Sequence, residues 1–176
     1  MDFLSDQMLA ACISLTLKVA GVATLFASSL GVAVAWVMVR SRFPGRRWID
    51  AICALPLVLP PTVIGYCLIL LLGRKGLIGE WLSTQGINLI FSWQGAVVAA
   101  TVVIFPLSYR SSKAALESVD HQLEDAARTL GASEWRCFFR VSLPLGWCGI
   151  FFGLTLAFVH GMGEFGETLI IACYPP

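Results

Sequence analysis

The sequence predicts an all-α integral membrane protein with about four transmembrane helices, and three observations carry that reading. Apolar residues make up 57% of the 176-residue chain and charged residues 13%, about half the charge of a typical water-soluble domain. The apolar residues form long blocks rather than an amphipathic rhythm, which identifies lipid as the solvent; mean hydropathy is +0.80. The basic residues gather in alternate connections between the blocks. The chain reads as one transmembrane domain over residues 1–176.

Four blocks are long enough to span, at about 8–39, 49–73, 87–109 and 144–162. The first would be ~48 Å long as a helix, more than a ~30 Å hydrocarbon core needs. Val19 to Val39 suffices, which places Lys18 near an interface where its stem can snorkel. The second block is interrupted by Pro56, Pro60 and Pro61. Beyond Pro61 it offers only about 18 Å of helix, so a kink or break across the prolines is expected. Such backbone is tolerated at membrane depth where protein or a wet cavity covers it. Met1 to Gln7 carries two aspartates and no basic residue, the wrong charge for a secretory signal, so the first segment is expected to be retained.

Topology follows from the charges. The first connection holds Arg40, Arg42, Arg46 and Arg47, and the second only Arg74 and Lys75. The third holds Arg110, Lys113, Arg128, Arg136 and Arg140. Connections one and three are therefore assigned to the cytoplasm, and the N-terminus to the periplasm. Trp36, Trp48, Trp93 and Trp147 fall near span ends, as interface anchors do. Small residues recur every four positions at Ala27, Gly31 and Ala35, and again at Gly149, Gly153, Ala157 and Gly161. That spacing lets helices approach closely, either within one chain or along a pore or subunit interface. The six cysteines show no C-x-x-C pairing and read as small core residues.

The third connection, 110–143, is the most informative. From Leu116, the residues Val119, Leu123, Ala126, Ala127 and Leu130 share one helical face. Asp120, Glu124 and Asp125 sit at the front of that helix, where its dipole favours negative charge. Gly131 falls where a left-handed C-terminal cap belongs. Ser133 is placed to cap a second short helix through Trp135 to Val141, with Glu134 in its first turn. Leu143 and Pro144 open the next span.

The run Asp125-Ala126-Ala127, then Gly131, then Val141-Ser142-Leu143-Pro144 resembles the EAA signature of ABC importer permeases. That signature reads Glu-Ala-Ala, three residues, Gly, nine residues, Ile-x-Leu-Pro. Both gaps match; the first position is Asp and the Ile is Val. The resemblance implies a type I importer fold in which this loop is the coupling helix, seated in a cleft of a separate ATPase subunit. It assigns coupling to Glu124, Asp125, Ala126, Ala127, Gly131, Leu143 and Pro144, with the alanines permitting close docking and Asp125 supplying a charged contact. Leu55-Pro56-Leu57-Val58-Leu59-Pro60-Pro61-Thr62-Val63-Ile64-Gly65-Tyr66 is similar to the second span of molybdate permeases. So are Gly73 to Gly79, Phe91 to Ala96, Glu124 to Gly131 and Gly163-Glu164-Phe165-Gly166.

The resemblance covers about Ser14 to Glu167. It implies a second copy of the chain in a homodimer, two ATPase subunits below, a periplasmic oxyanion-binding protein above, and molybdate as cargo. It implies no cofactor bound by this chain, with ATP–Mg at the partner ATPase, and no nucleic acid. Members of that group continue past the Gly-Glu-Phe-Gly region with at least one more span, so this chain is expected to lack the C-terminal span.

No G-x-x-x-x-G-K-[ST] loop is present and no His, Cys or carboxylate set has metal-ligand spacing, so neither ATP hydrolysis nor a metal site is expected of this chain. Pro60, Pro61, Gly153 and Glu164 are the candidate pore or gate residues. A carboxylate near an apolar span, as at Glu164, needs water or a partner; a gate contact and a solvated loop charge both fit it. Rival readings are a sulfate or thiosulfate permease, a truncated non-transporting membrane remnant, and, more remotely, an intramembrane enzyme.

Overall fold

Each regular element among the described residues is helical, as lipid requires, because a backbone in hydrocarbon must satisfy its own polar groups. The computed structural model describes residues 2–41, 44–72 and 93–173, with side chains described at residue 10 and over 13–41, 44–60, 62–71 and 93–163. In chain order the elements are α1 (Asp2–Arg40), α2 (Arg46–Val58), α3 (Pro61–Leu72), α4 (Trp93–Glu117), α5 (His121–Thr129) and α6 (Glu134–Cys137). A π turn over Phe138–Ser142 then leads directly into α7 (Leu143–Cys173). Ile13–Arg40, Trp93–Glu117 and Glu134–Gly163 are each long and apolar enough to cross a membrane, and α2 with α3 makes a fourth candidate if the bent pair is one span.

Helices α1, α4 and α7 form one packed unit. Toward one end Val19, Ala23 and Ala27 meet Val97, Ala100, Ile104 and Ala157. Toward the other, Ala35 and Met38 meet Tyr109, Leu116 and Phe138. Helices α1 and α4 therefore run parallel, with α7 antiparallel to both. The Lys18 ammonium lies 5.0 Å from the centre of the Trp93 ring at the first end, a cation–π contact between two groups expected at one interface.

The small-residue rows serve this packing. A Cβ on Gly31 would stand 3.0 Å from both Ser108 Oγ and Tyr109 N. On Gly149 it would stand 2.7 Å from Ala115 Cβ, and on Gly153 2.3 Å from Ser111 Cβ. Gly153, a candidate pore or gate residue, packs against Ser111 of α4. Large apolar side chains such as Leu25, Phe26, Phe152 and Val159 point outward, as lipid-facing residues do. The cysteines divide accordingly: Cys137 is buried and Cys53 half-buried, but Cys67 and Cys148 are exposed, because an outward position is no less apolar than the core here.

The expected break falls at the prolines. Leu59 is extended, at φ −78° and ψ 141°, since a residue before proline is pushed out of the helical region. Val63 N–H and Ile64 N–H then donate to the Pro60 carbonyl at 2.9 and 3.2 Å, opening α3, and Pro61 occupies its first turn, where no N–H is required. The two helices are turned by 113° across this break.

Three boundaries differ from expectation. Helix α4 continues eight residues past Tyr109 to Glu117, and α6 is continuous with α7 through the π turn. The connection expected at 110–143 thus shrinks to 118–133, because polar residues mark the end of the hydrocarbon but not the end of a helix. In the π turn the Leu143 N–H reaches back to the Phe138 carbonyl; this shift of register precedes Pro144, which has no N–H to give. Helix α7 also runs beyond 162, to Cys173. The start of the third span at 87 and the Arg74–Lys75 connection lie outside the described residues.

Gly153→Ala should lower stability in detergent by about 1–3 kcal/mol, the usual cost of overpacking. Gly163→Ala is the control, since a Cβ there meets nothing within 4 Å. Thermal unfolding of both variants is the measurement, and equal midpoints would contradict the close α4–α7 approach.

Candidate functional site in the third connection

Short-range rules set the shape of this loop. Asp120 caps α5 by accepting from the Gln122 N–H at 2.9 Å. The helix therefore begins at His121: Leu116 belongs to the end of α4, and Val119 is buried in the turn between them. Gly131 adopts φ +83°. Its N–H reaches the Arg128 carbonyl at 2.9 Å and the Ala132 N–H the Ala127 carbonyl at 3.1 Å, the paired bonds of a left-handed C-cap. Ser133 occupies the N-cap of α6, but its hydroxyl makes no capping bond.

The centre of the loop is Glu124, a carboxylate only 8% exposed. Ser142 Oγ donates to its Oε1 at 2.5 Å, and Arg40 Nη1 to its Oε2 at 2.7 Å. Arg128 Nη2 approaches that same oxygen at 3.4 Å and His121 Nδ1 at 3.8 Å. The second arm of Arg40 bonds Glu134, and Arg128 bonds Asp125 and Glu134. Burying a lone carboxylate would be costly; here two cations and a hydroxyl satisfy it. Desolvation opposes the charge on Arg128, but the carboxylates of Glu134, Asp125 and Glu124 outweigh it and hold the guanidinium above its ordinary range. Against this cluster Trp36 packs on Trp135 and Phe138, ring centres 4.9 and 5.1 Å apart. Trp36 is thus part of the loop's seat, where an interface anchor was expected.

Helix α5 is turned with its carboxylate inward and its leucines outward. Leu123 is 49% and Leu130 88% exposed, with Trp135 and Phe139 exposed beside them. Ala126 is exposed, Ala127 half-buried, and Asp125 exposed against Arg128. The face expected to be apolar therefore exists, but it points away from the described chain. Of the other candidate residues, Leu143 is half-buried in the lower core and Pro144 is exposed. Pro60 is exposed at the helix break; the side chains of Pro61 and Glu164 lie outside the described residues. The sequence reading missed Arg40 and Ser142 as partners of Glu124. Arg40 was legible only as a topology charge and Ser142 only as the variable position of Val-x-Leu-Pro.

A three-helix membrane unit, a broken span and a short helical loop with an exposed apolar face define a multi-pass membrane subunit. The family model for binding-protein-dependent transport system inner membrane components matches residues 27–176. The molybdenum transport system permease protein ModB of Escherichia coli (strain K12) is 52% identical over 156 residues, covering 88% of this chain and 68% of that protein. The ModB protein of Haemophilus influenzae is 47% identical over 158 residues, 89% of this chain and 69% of its own. The sulfate transport system permease protein CysT of E. coli (strain K12) is 36% identical over 171 residues, 97% of this chain and 62% of its own. Among solved structures, a bacterial ABC transporter involved in alginate import aligns with TM-score 0.75 at 21% identity, over 96% of this chain and 62% of that one. An amino acid ABC transporter aligns with TM-score 0.63 at 22% identity, over 98% and 77%. The chain belongs to the family of binding-protein-dependent transport system inner membrane components. It is a multi-pass permease subunit, not an enzyme, and a separate subunit hydrolyses the ATP.

Gly131→Ala should cost about 1–2 kcal/mol, the penalty for a side chain in the left-handed region. Gly131→Asn should cost less. Limited proteolysis within 118–133 checks this, with faster cleavage in Gly131→Ala as the expected result.

Proposed function

We propose that this chain is the membrane permease of an ATP-driven molybdate importer in the bacterial inner membrane. The observation that carries the coupling part of this reading is the outward-turned apolar face of α5, at Leu123, Ala126 and Leu130. A buried carboxylate beneath an exposed leucine face suits a helix that seats in a cleft of another subunit. The cargo assignment rests on the relatives: the ModB proteins of E. coli and H. influenzae match at 47–52%. Relatives named for sulfate transport match at 34–42%.

In this reading two copies of the chain form the path, with the N-terminus in the periplasm. A periplasmic oxyanion-binding protein delivers cargo from above, and two ATPase subunits, which hold ATP–Mg, grip the loops from below. ATP binding closes the ATPase pair and moves α5 and α6. The spans then reorient so the path opens outward, and hydrolysis returns it inward. The half-helices meeting at Pro60 and Pro61 supply non-helical backbone for the path, the kind that membrane depth tolerates only beside protein or water. A sulfate permease is the second reading, favoured by the 42% match to a probable sulfate permease of Chlorokybus atmophyticus.

Uptake of labelled molybdate in E. coli cells lacking their own molybdenum permease tests the cargo. Uptake that excess sulfate leaves intact is expected; uptake suppressed by sulfate would move the assignment to the sulfate branch. Leu130→Asp should abolish co-purification of the ATPase while leaving membrane insertion unchanged. Retained co-purification would remove α5 from the interface.

A further inference from the structure

We propose that Glu124 is a positioning residue that joins the coupling helix α5 to α1 and α7, so that one movement of α5 is delivered to both. The proposal rests on the reading of the chain as an ATPase-coupled permease and names the route inside it.

The geometry is that of a clamp with three jaws. Glu124 sits on the inward side of α5 and divides its two oxygens. Oε1 takes the hydroxyl of Ser142, at the end of the π turn that opens α7. Oε2 takes the guanidinium of Arg40, the last residue of α1. Residues 40 and 142 are distant in sequence from each other, and the single carboxylate of Glu124 holds both. The backbone is gripped as well, since Cys137 Sγ approaches the Glu124 carbonyl at 3.9 Å. Arg40 in turn spans Glu124 and Glu134 with its two arms, so α6 is tied to α1 by the same side chain.

The position of Ser142 depends on the π turn. Each π turn admits an extra residue and rotates the helix beyond it by about a hundred degrees relative to a straight α-helix. That rotation brings Ser142 inward to a 2% exposed position while Phe139 and Arg140 stay outside. The outward face of α5 makes none of these contacts. Binding a partner and holding the membrane helices therefore fall on opposite sides of one nine-residue helix, and one function can be lost without the other.

Glu124→Gln keeps the size and an acceptor for Arg40 but removes the charge. Arg40→Lys keeps the charge but replaces a fork that reaches two carboxylates with a single ammonium. Glu117→Gln, which removes a carboxylate paired with Arg46 at the end of α4, is the comparison. Each variant would be reconstituted in vesicles with the ATPase and binding protein of the E. coli molybdenum system. ATPase co-purification, ATP hydrolysis and labelled molybdate uptake would be measured together. Expected for Glu124→Gln is normal co-purification, hydrolysis within about twofold of the unmodified chain and uptake reduced about tenfold or more, the range of a typical coupling free energy. Arg40→Lys should be intermediate in the ratio of ATP consumed to molybdate imported, and should carry the test if Glu124→Gln does not fold. An unchanged ratio in the folded variants, or uptake and hydrolysis falling in proportion, would overturn the proposal. An unmodified chain that neither binds the ATPase nor supports uptake would overturn the permease reading and this proposal with it.

Discussion

Lipid gives two apolar helices little reason to prefer each other over acyl chains, so close contact has to come from shape. In this chain shape is supplied by residues with almost no side chain. Gly31 brings the backbone of α1 against Ser108 and Tyr109, and Gly149 and Gly153 bring α7 against Ala115 and Ser111. With those approaches fixed, the basic ends of α1 and α4 and the start of α7 emerge side by side. The polar architecture at that end is a consequence. Arg40 and Ser142 can share one carboxylate because the helices that carry them are already held together. A bulky residue at Gly153 would separate two helices and, with them, the jaws that close on Glu124.

The charges at this end are used structurally as well as topologically. Lys113 donates to both oxygens of Asp50 at 2.7 Å, Tyr109 bonds the same carboxylate, and Arg46 pairs with Glu117 at 2.7 Å. Helix α2 has no buried residue, so these polar contacts do much to hold it against α4. The loop shows the reverse arrangement of surfaces. A nine-residue helix with a strongly charged sequence turns Glu124 toward the protein, and Leu123 and the C-cap residue Leu130 toward the outside. That inversion makes sense for a helix whose apolar side is reserved for another subunit.

The sequence made much of this readable because its strongest signals are local. Block length and hydropathy located the membrane helices, and Pro60 and Pro61 located the break, since proline acts on its own neighbours. Gly131 was legible for the same reason, its left-handed cap requiring only the last turn of α5. The helix ends were misplaced where composition and hydrogen bonding part company: Arg110 to Glu117 is polar yet helical. The spacing of Leu123, Ala126 and Leu130 identified a face but not its direction, because periodicity is the same whether the face meets its own chain or a partner. The Glu124–Arg40–Ser142 cluster could not be read at all, since it joins residues that only the tertiary fold brings together. The close approach of Gly153 to Ser111 was open for a related reason. Small residues signal close approach without saying what approaches.

These two kinds of contact differ in how they fail. A glycine-mediated contact is lost outright when helices part, since the dispersion attraction of touching atoms fades within an ångström. A partly exposed ion pair such as Asp50–Lys113, with 29% and 19% of the side chains exposed, weakens more gradually, since charge attraction falls only as the inverse of distance. Helices α1, α4 and α7 are joined by the first kind of contact; α2 is held to α4 in large part by the second. Leu59 is extended between α2 and α3. Glu124 sits on the rigid side of that division, linking α5 to α1 and α7.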